Sequence, residues 1–241
     1  MFHSCILQHY VDKPVRMLDL CAAPGGTSTL AASVLPTGSL LVSNEIDRQR
    51  SNVLAENIVK WGKSSCVVTN NTPKAFSSID NFFDIMLTDV PCSGEGMFRK
   101  DSKAIEEWSL ENVTMCVDRQ HKILTDCWNC LKPGGLLIYS TCTFNVKENE
   151  ENVRWIIREL GAESLEVPVA SEWNITGNLS GGDEFVYRFL PYRTKGEGFF
   201  ISVLRKNGVS VETSHFKKKL MKKRHKTIDS SYPSSLRDWI H

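Results

Sequence analysis

Short apolar runs alternate with helix-length amphipathic stretches from residue 15 to beyond residue 200, and this pattern constrains the chain most. Residues 15–20 (VRMLDL), 39–43 (SLLVS), 65–69 (SCVVT), 83–88 (FDIMLT) and 136–140 (LLIYS) have the length and apolar character of buried strands. Helices are expected over 28–35 and 47–61, the second with Val53, Leu54, Ile58 and Trp61 on one face. A longer helix is expected over 112–131, with Val113, Cys116, Val117, Leu124, Cys127 and Leu131 in one stripe, stopped by Lys132-Pro133-Gly134-Gly135. Asn145 reads as the cap of another helix, with Glu148 at its third position and Val153, Ile156, Ile157 and Leu160 turned inward. Strands around 185–190 and 199–204 complete the order. Such alternation specifies an α/β domain with a mainly parallel, seven-stranded sheet and helices on both faces. Ligands of such sheets sit beyond the carboxyl ends of the strands.

Composition narrows the class. A chain of 241 residues, 41% hydrophobic and 24% charged, can bury a substantial core and is neither fibrous nor wholly disordered. It has no run of eighteen apolar residues, and its first residues do not read as a secretory signal. Eight cysteines in such a chain read as reduced thiols, which fits a cytoplasmic protein. The net charge is +1, yet residues 215–226 (HFKKKLMKKRHK) carry seven Lys or Arg and no acid, leaving about −6 for the rest. Residues 1–205 therefore read as one domain and 206–241 as a basic tail, either a solvated linker or a phosphate-contacting arm.

The turn after the first strand, Asp19-Leu20-Cys21-Ala22-Ala23-Pro24-Gly25-Gly26-Thr27, lets backbone approach a ligand at a helix N-terminus. Glu45, at the end of the second strand, is placed to accept hydrogen bonds from ribose hydroxyls. Neither G-x-G-x-x-G nor G-x-x-x-x-G-K-[ST] is present, so a merely structural turn remains open on this segment alone. The fourth strand runs into Asp89-Val90-Pro91-Cys92-Ser93-Gly94-Glu95-Gly96, the fifth into Ser140-Thr141-Cys142. A lone cysteine after a strand is usually a small buried hydrophobe. Two at neighbouring strand ends beside a ligand turn point to chemistry instead. Cys127 and Cys130, on or beside a buried stripe, do not read as a metal site, and His121 and His225 lack partners at ligand spacing.

Taken in order, these segments resemble the Nop/Sun family of S-adenosylmethionine-dependent RNA cytosine-5 methyltransferases. Residues 94–101 (GEGMFRKD) and 193–200 (RTKGEGFF) are similar to the bacterial ribosomal-RNA methyltransferase F group within it. The resemblance covers about residues 10–205 and implies a Rossmann-like class I methyltransferase fold. It implies S-adenosylmethionine against Cys21, Ala22, Ala23, Pro24, Gly25, Gly26 and Thr27, with Glu45 on the ribose and Asp89 nearby. It further implies Cys142 as the nucleophile towards carbon 6 of cytosine, Cys92 in proton removal and release, and Asp89 at ring nitrogen 3. The implied substrate is RNA, ribosomal RNA in particular, with neither metal nor membrane involved; Arg99 and Lys100 are candidates for local positive charge or a phosphate contact.

Two positions depart from the pattern. Thr27 stands where the family has Lys, and Thr69-Asn70-Asn71-Thr72 lacks the acid that relatives carry at the position of Thr72. The first strand is also expected almost at the start of the chain, and no substantial RNA-binding domain follows the last. Two alternatives stay open here. One is a cofactor-weakened relative that binds RNA or a ribosomal partner without turnover. The other, a DNA cytosine-5 methyltransferase, would use the cysteine after proline as nucleophile, and the full Ser140-Thr141-Cys142 motif argues against it.

Overall fold

The computed structural model describes residues 2–208. In chain order its elements are α1 (Phe2–Tyr10), β1 (Arg16–Asp19), α2 (Gly26–Val34), β2 (Leu40–Asn44), α3 (Arg48–Trp61), β3 (Cys66–Thr69) and β4 (Phe83–Asp89). There follow α4 (Ser102–Glu107), α5 (Leu110–Cys127), β5 (Leu131–Thr141), α6 (Glu150–Glu159), β6 (Ala162–Leu165), β7 (Tyr187–Phe189) and β8 (Phe199–Lys206). The sheet runs β3-β2-β1-β4-β5-β8-β6, parallel from β3 through β5. Beyond β5 it is antiparallel.

The sheet thus has eight strands rather than seven, and is mixed rather than nearly all parallel. Leu165 of β6 pairs with Val203, and Tyr187 of β7 pairs with Ile201, so both short strands lie in line along one edge of β8. The seventh lane is one interrupted strand, broken by residues 166–186. β6 (AESL) was not expected, because its half-exposed alternation is too weak to mark a strand.

Side chains alternate cleanly across the pleat, as period-two geometry requires. Met17, Leu41, Ile85, Ile138 and Ile201 face α1 and α2. Leu18, Val42, Met86, Leu137, Phe200 and Leu204 face α5 and α6. α1 occupies ground the sequence reading left empty, and seats Ile6 and Leu7 in the core and Phe2 against Tyr187 and Phe189.

The helices differ from expectation where tertiary contacts outrank local pattern. In α3 only Leu54 and Ile58 of the proposed stripe are buried; Val53 and Trp61 stand about half exposed, outside the arc that meets the sheet. α5 ends at Cys127, and Leu131 already pairs with Phe83 as β5 begins. The Pro133-Gly134-Gly135 stretch therefore does not stop the helix but lies within β5, with Lys132 Nζ bonded to Asp84. α6 starts at Glu150 because Asn145 and Glu148 bond each other and the neighbouring loop in a turn before it.

One buried ion pair locks the interrupted lane to α6. Arg188 of β7 is 1% exposed, and its Nε donates to Glu150 Oε1 at 2.7 Å. Removing one partner of such a pair leaves the other charge buried and alone, whereas replacing both by apolar groups is far milder. Arg188→Met should therefore destabilise the fold by about 3–5 kcal/mol in urea unfolding, and Arg188→Met with Glu150→Leu should recover most of that loss.

Candidate active site

The chain switches direction across the sheet at β1, whose neighbours β2 and β4 belong to opposite halves of the strand order. A crevice must open there, beyond the carboxyl ends. The turn out of β1 is held down by the Ala22 N–H, which donates to the Asn44 carbonyl at 2.8 Å. Gly25 follows at φ 112°, a conformation that disfavours any side chain, and a Cβ there would meet Leu54 Cδ1 at 3.1 Å. Beneath the turn, Ser28 Oγ donates to Asp19 Oδ2 at 2.6 Å. Burial, opposed by that bond and aided by the charges of Asp89 and Glu45, pushes the Asp19 carboxyl up to about 7.

Glu45 is buried at the end of β2. Its Oε1 accepts from the Asp47 N–H at 3.0 Å, while Oε2 makes no hydrogen bond and meets Arg50 Nη1 at 3.3 Å. Arg50 Nη2 also donates to the Ala23 carbonyl at 2.8 Å, tying the second strand end to the glycine turn. Asn44 makes the same connection to the third: its Oδ1 accepts from Thr69 Oγ1 and the Asn71 N–H.

The two cysteines meet. Asp89 and Ser140 are register partners in β4 and β5, and Ser140 Oγ donates to Asp89 Oδ1 at 3.0 Å. The loops beyond bring Cys92 Sγ to 3.2 Å from Cys142 Sγ, and the Cys142 N–H points at Cys92 Sγ at 3.3 Å. The hydrogen bond from Cys92 holds the Cys142 thiol below its ordinary range, against burial and the charges of Asp89 and Glu148. The same bond, with burial, raises Cys92 well above it. Burial also raises the Asp89 carboxyl, with Ser140 and Arg50 opposing. One thiol is thus disposed to ionise and its neighbour to keep its proton.

A single cleft of about 640 Å³ takes in Cys21, Ala23, Glu45, Asp89, Cys92, Cys142 and Thr72. Pro24, Gly25 and Gly26 instead border a neighbouring hollow with Asn57, Lys60 and Trp61, while Ala22 is buried and Thr27 lies in the first turn of α2. Arg99 lies in a third hollow, beside Phe98, Trp108 and Phe144, and both Arg99 and Lys100 are exposed. Cys127 and Cys130 are in the core, and His121 stacks on Trp155 with its Nε2 2.8 Å from Asn152 Oδ1. His225 and the basic stretch 215–226 lie outside the described residues.

The sequence reading missed the far wall. Arg119, Lys122, Ile123 and Asp126 of α5 line the cleft, as do Ile46 and Arg50. Their spacing on α5 is that of one helical face, a signal that could have been read. Gln120, a polar residue on the stripe with Cys116 and Leu124, was a second such signal, and it is fully buried.

This strand order, with a glycine turn at the switch point and an acid at the next strand end, is that of the Rossmann-like class I methyltransferases. The chain belongs to the 16S rRNA methyltransferase RsmB/F family, whose model matches residues 7–205. It is 36% identical over 216 residues to ribosomal RNA small subunit methyltransferase F of Pectobacterium atrosepticum, covering 86% of this chain and 43% of that protein. To the protein of the same name from Aliivibrio salmonicida it is 30% identical, covering 92% of this chain and 50% of that one. The chain thus spans about half the length of these curated relatives. Among solved structures, NSun6 from Pyrococcus horikoshii with SFG superposes with a TM-score of 0.72 at 27% identity, covering 86% of this chain and 51% of that one. No helix among the described residues is long and apolar enough to cross a membrane.

The thiol pair generates a direct test. At neutral pH iodoacetamide should label Cys142 in preference to Cys92, as read by peptide mass mapping. In Cys92→Ala the thiolate of Cys142 loses its S–H donor, so its labelling profile should move to higher pH. A profile that stays in place would show that Cys92 does not lower the Cys142 thiol.

Proposed function

We propose that the protein is an S-adenosylmethionine-dependent RNA cytosine-5 methyltransferase acting on ribosomal RNA in the cytoplasm, with residues 1–205 as its catalytic domain and the basic residues beyond as an RNA-contacting arm or linker. The observation that carries this reading is the pair Cys92 and Cys142, 3.2 Å apart and opening into the same cleft as Glu45. The relatives are named for ribosomal RNA methylation, and SFG in the Pyrococcus structure is an analogue of S-adenosylmethionine.

The residues present fit that cofactor. The cleft lies within the range of about 300–1,000 Å³ usual for small-molecule sites. Glu45 Oε2, buried and without a hydrogen bond, is free to accept from a ribose hydroxyl. Ile46, 61% exposed on the same wall, offers an apolar surface to a purine. Cys21 and Ala23 would lie along the rest, while Pro24, Gly25 and Gly26 border the neighbouring hollow. When bound, the cofactor supplies an electrophilic methyl group.

Carbon 5 of cytosine is a weak nucleophile until its neighbouring carbon is attacked. The Cys142 thiolate adds to carbon 6, and Asp89, whose carboxyl holds its proton more tightly than usual, steadies ring nitrogen 3 as charge develops there. After transfer, the proton on carbon 5 must leave before the C–S bond can break. Cys92 sits beside Cys142 to take part in that step. The base must leave its stack to reach both sulfurs, so loop and single-stranded cytosines should react best.

Two measurements test the assignment. Glu45→Ala should weaken S-adenosylmethionine binding by about 1–3 kcal/mol in calorimetric titration, through loss of charge-assisted hydrogen bonds; unchanged affinity in the folded variant would refute the placement. On a denaturing gel with labelled RNA and cofactor, Cys142→Ala should give neither product nor adduct. Cys92→Ala should trap a protein–RNA adduct. The reverse pattern would exchange the two roles, and no turnover or adduct from any form would favour a binding protein without catalysis.

A further inference from the structure

The thiols stand on loops fifty residues apart in sequence, and the flanks of both are gripped by three consecutive, fully buried side chains: Glu148, Asn149 and Glu150. The Glu148 carboxylate accepts from the Ser93 N–H at 3.1 Å, from Ser93 Oγ, and from Asn145 Nδ2 and Gln120 Nε2, each at 2.7 Å. Gln120 Nε2 also donates to the Pro91 carbonyl at 2.9 Å. Both neighbours of Cys92 are therefore held by one Gln120–Glu148 unit. Asn149 does the same for Cys142. Its Oδ1 accepts from Thr141 Oγ1 at 2.6 Å, and its Nδ2 donates to the Thr143 carbonyl at 3.0 Å.

The two grips are joined directly, because Ser93 Oγ and Thr143 Oγ1 lie 3.0 Å apart. Glu150 extends the brace by way of Arg188, whose Nη1 donates to the Phe144 carbonyl at 2.8 Å. Among the described residues no lysine, arginine or histidine forms an ion pair with Glu148; four donors from the two cysteine loops and α5 converge on it instead. A two-oxygen, acceptor-only group suits four convergent donors, whereas an amide would set its own N–H groups against them. Burying such a group is costly unless it is fully hydrogen-bonded, and a fully satisfied network of this kind holds its members in one arrangement.

We propose that Glu148 and Asn149 are positioning residues: they set the spacing of Cys92 and Cys142 without lining the cleft themselves. The proposal rests on the reaction assigned to those thiols, but the spacing can be measured without the reaction.

The experiment uses the whole chain with Glu148→Gln, Asn149→Ala and the milder Ser93→Ala, which removes one donor and keeps the carboxylate. Diamide draws two electrons and two protons from a thiol pair, and the rate at which Cys92 and Cys142 join is read by peptide mass mapping. Pairing should slow about tenfold in Glu148→Gln and Asn149→Ala, and by less in Ser93→Ala. Turnover should fall about 10- to 100-fold while KM for RNA and calorimetric affinity for S-adenosylmethionine stay at parent values. Folded variants that pair their thiols and turn over at parent rates would overturn the proposal. So would a loss of turnover that tracks only a loss of substrate or cofactor affinity. If the two stronger variants fail to fold, Ser93→Ala decides by the same readings. A parent chain that methylates no RNA would sink the assigned reaction, while the pairing rates would still judge the brace.

Discussion

Parallel hydrogen bonding between β4 and β5 sets Asp89 opposite Ser140. A slip of one residue in that register would turn every side chain on one strand to the other face, so the buried pattern of both strands enforces it. With the register held, the two loops leave the sheet side by side, Cys92 three residues beyond Asp89 and Cys142 two beyond Ser140. The hydrogen bond between their sulfurs, the opposite shifts of their acidities and the single cleft all depend on that pairing. Gly96 keeps the loops close: a Cβ there would come within 2.7 Å of the Cys142 and Gly198 carbonyls.

The cleft balances charge rather than concentrating it. Asp19, Glu45 and Asp89 gather at three strand ends, and the charges of Asp89 and Glu45 make Asp19 harder to ionise. Arg50 answers two of them, pairing with Glu45 and lowering Asp89. Arg119 adds positive charge from α5 on the opposite wall, where Lys122 pairs with Asp126 at 3.3 Å. A field of that shape suits a ligand carrying both a cationic centre and polar hydroxyls.

Much of this was legible from residues alone. Strand-length apolar runs, the glycine turn, Glu45 and the two cysteines all lie where their sequence neighbourhoods place them, because each depends on nearby residues and on the rule that parallel strands end together. What stayed hidden depends on distant partners. The early end of α5 follows from Leu131 pairing with Phe83, far back in the chain. The delayed start of α6 follows from Asn145 and Glu148 serving the cysteine loops rather than the helix. The roles of Gln120 and Asn149 are set by which carbonyls and hydroxyls lie across the sheet end, and no local periodicity encodes that.

The broken seventh lane has a consequence for how the chain can be cut. β6 and β7 reach the same edge of β8 from the two sides of residues 166–186, and neither depends on the other for its hydrogen bonds to β8. Tyr187 Oη accepts from the Val167 N–H across the gap, and the Arg188 N–H donates to the Thr176 carbonyl at 2.8 Å, so the excursion is stitched at intervals rather than only at its ends. A nick within it would divide the covalent chain yet leave both pieces on one template strand. β8 acts there as a splint, so backbone continuity and fold integrity are separable at this edge of the molecule.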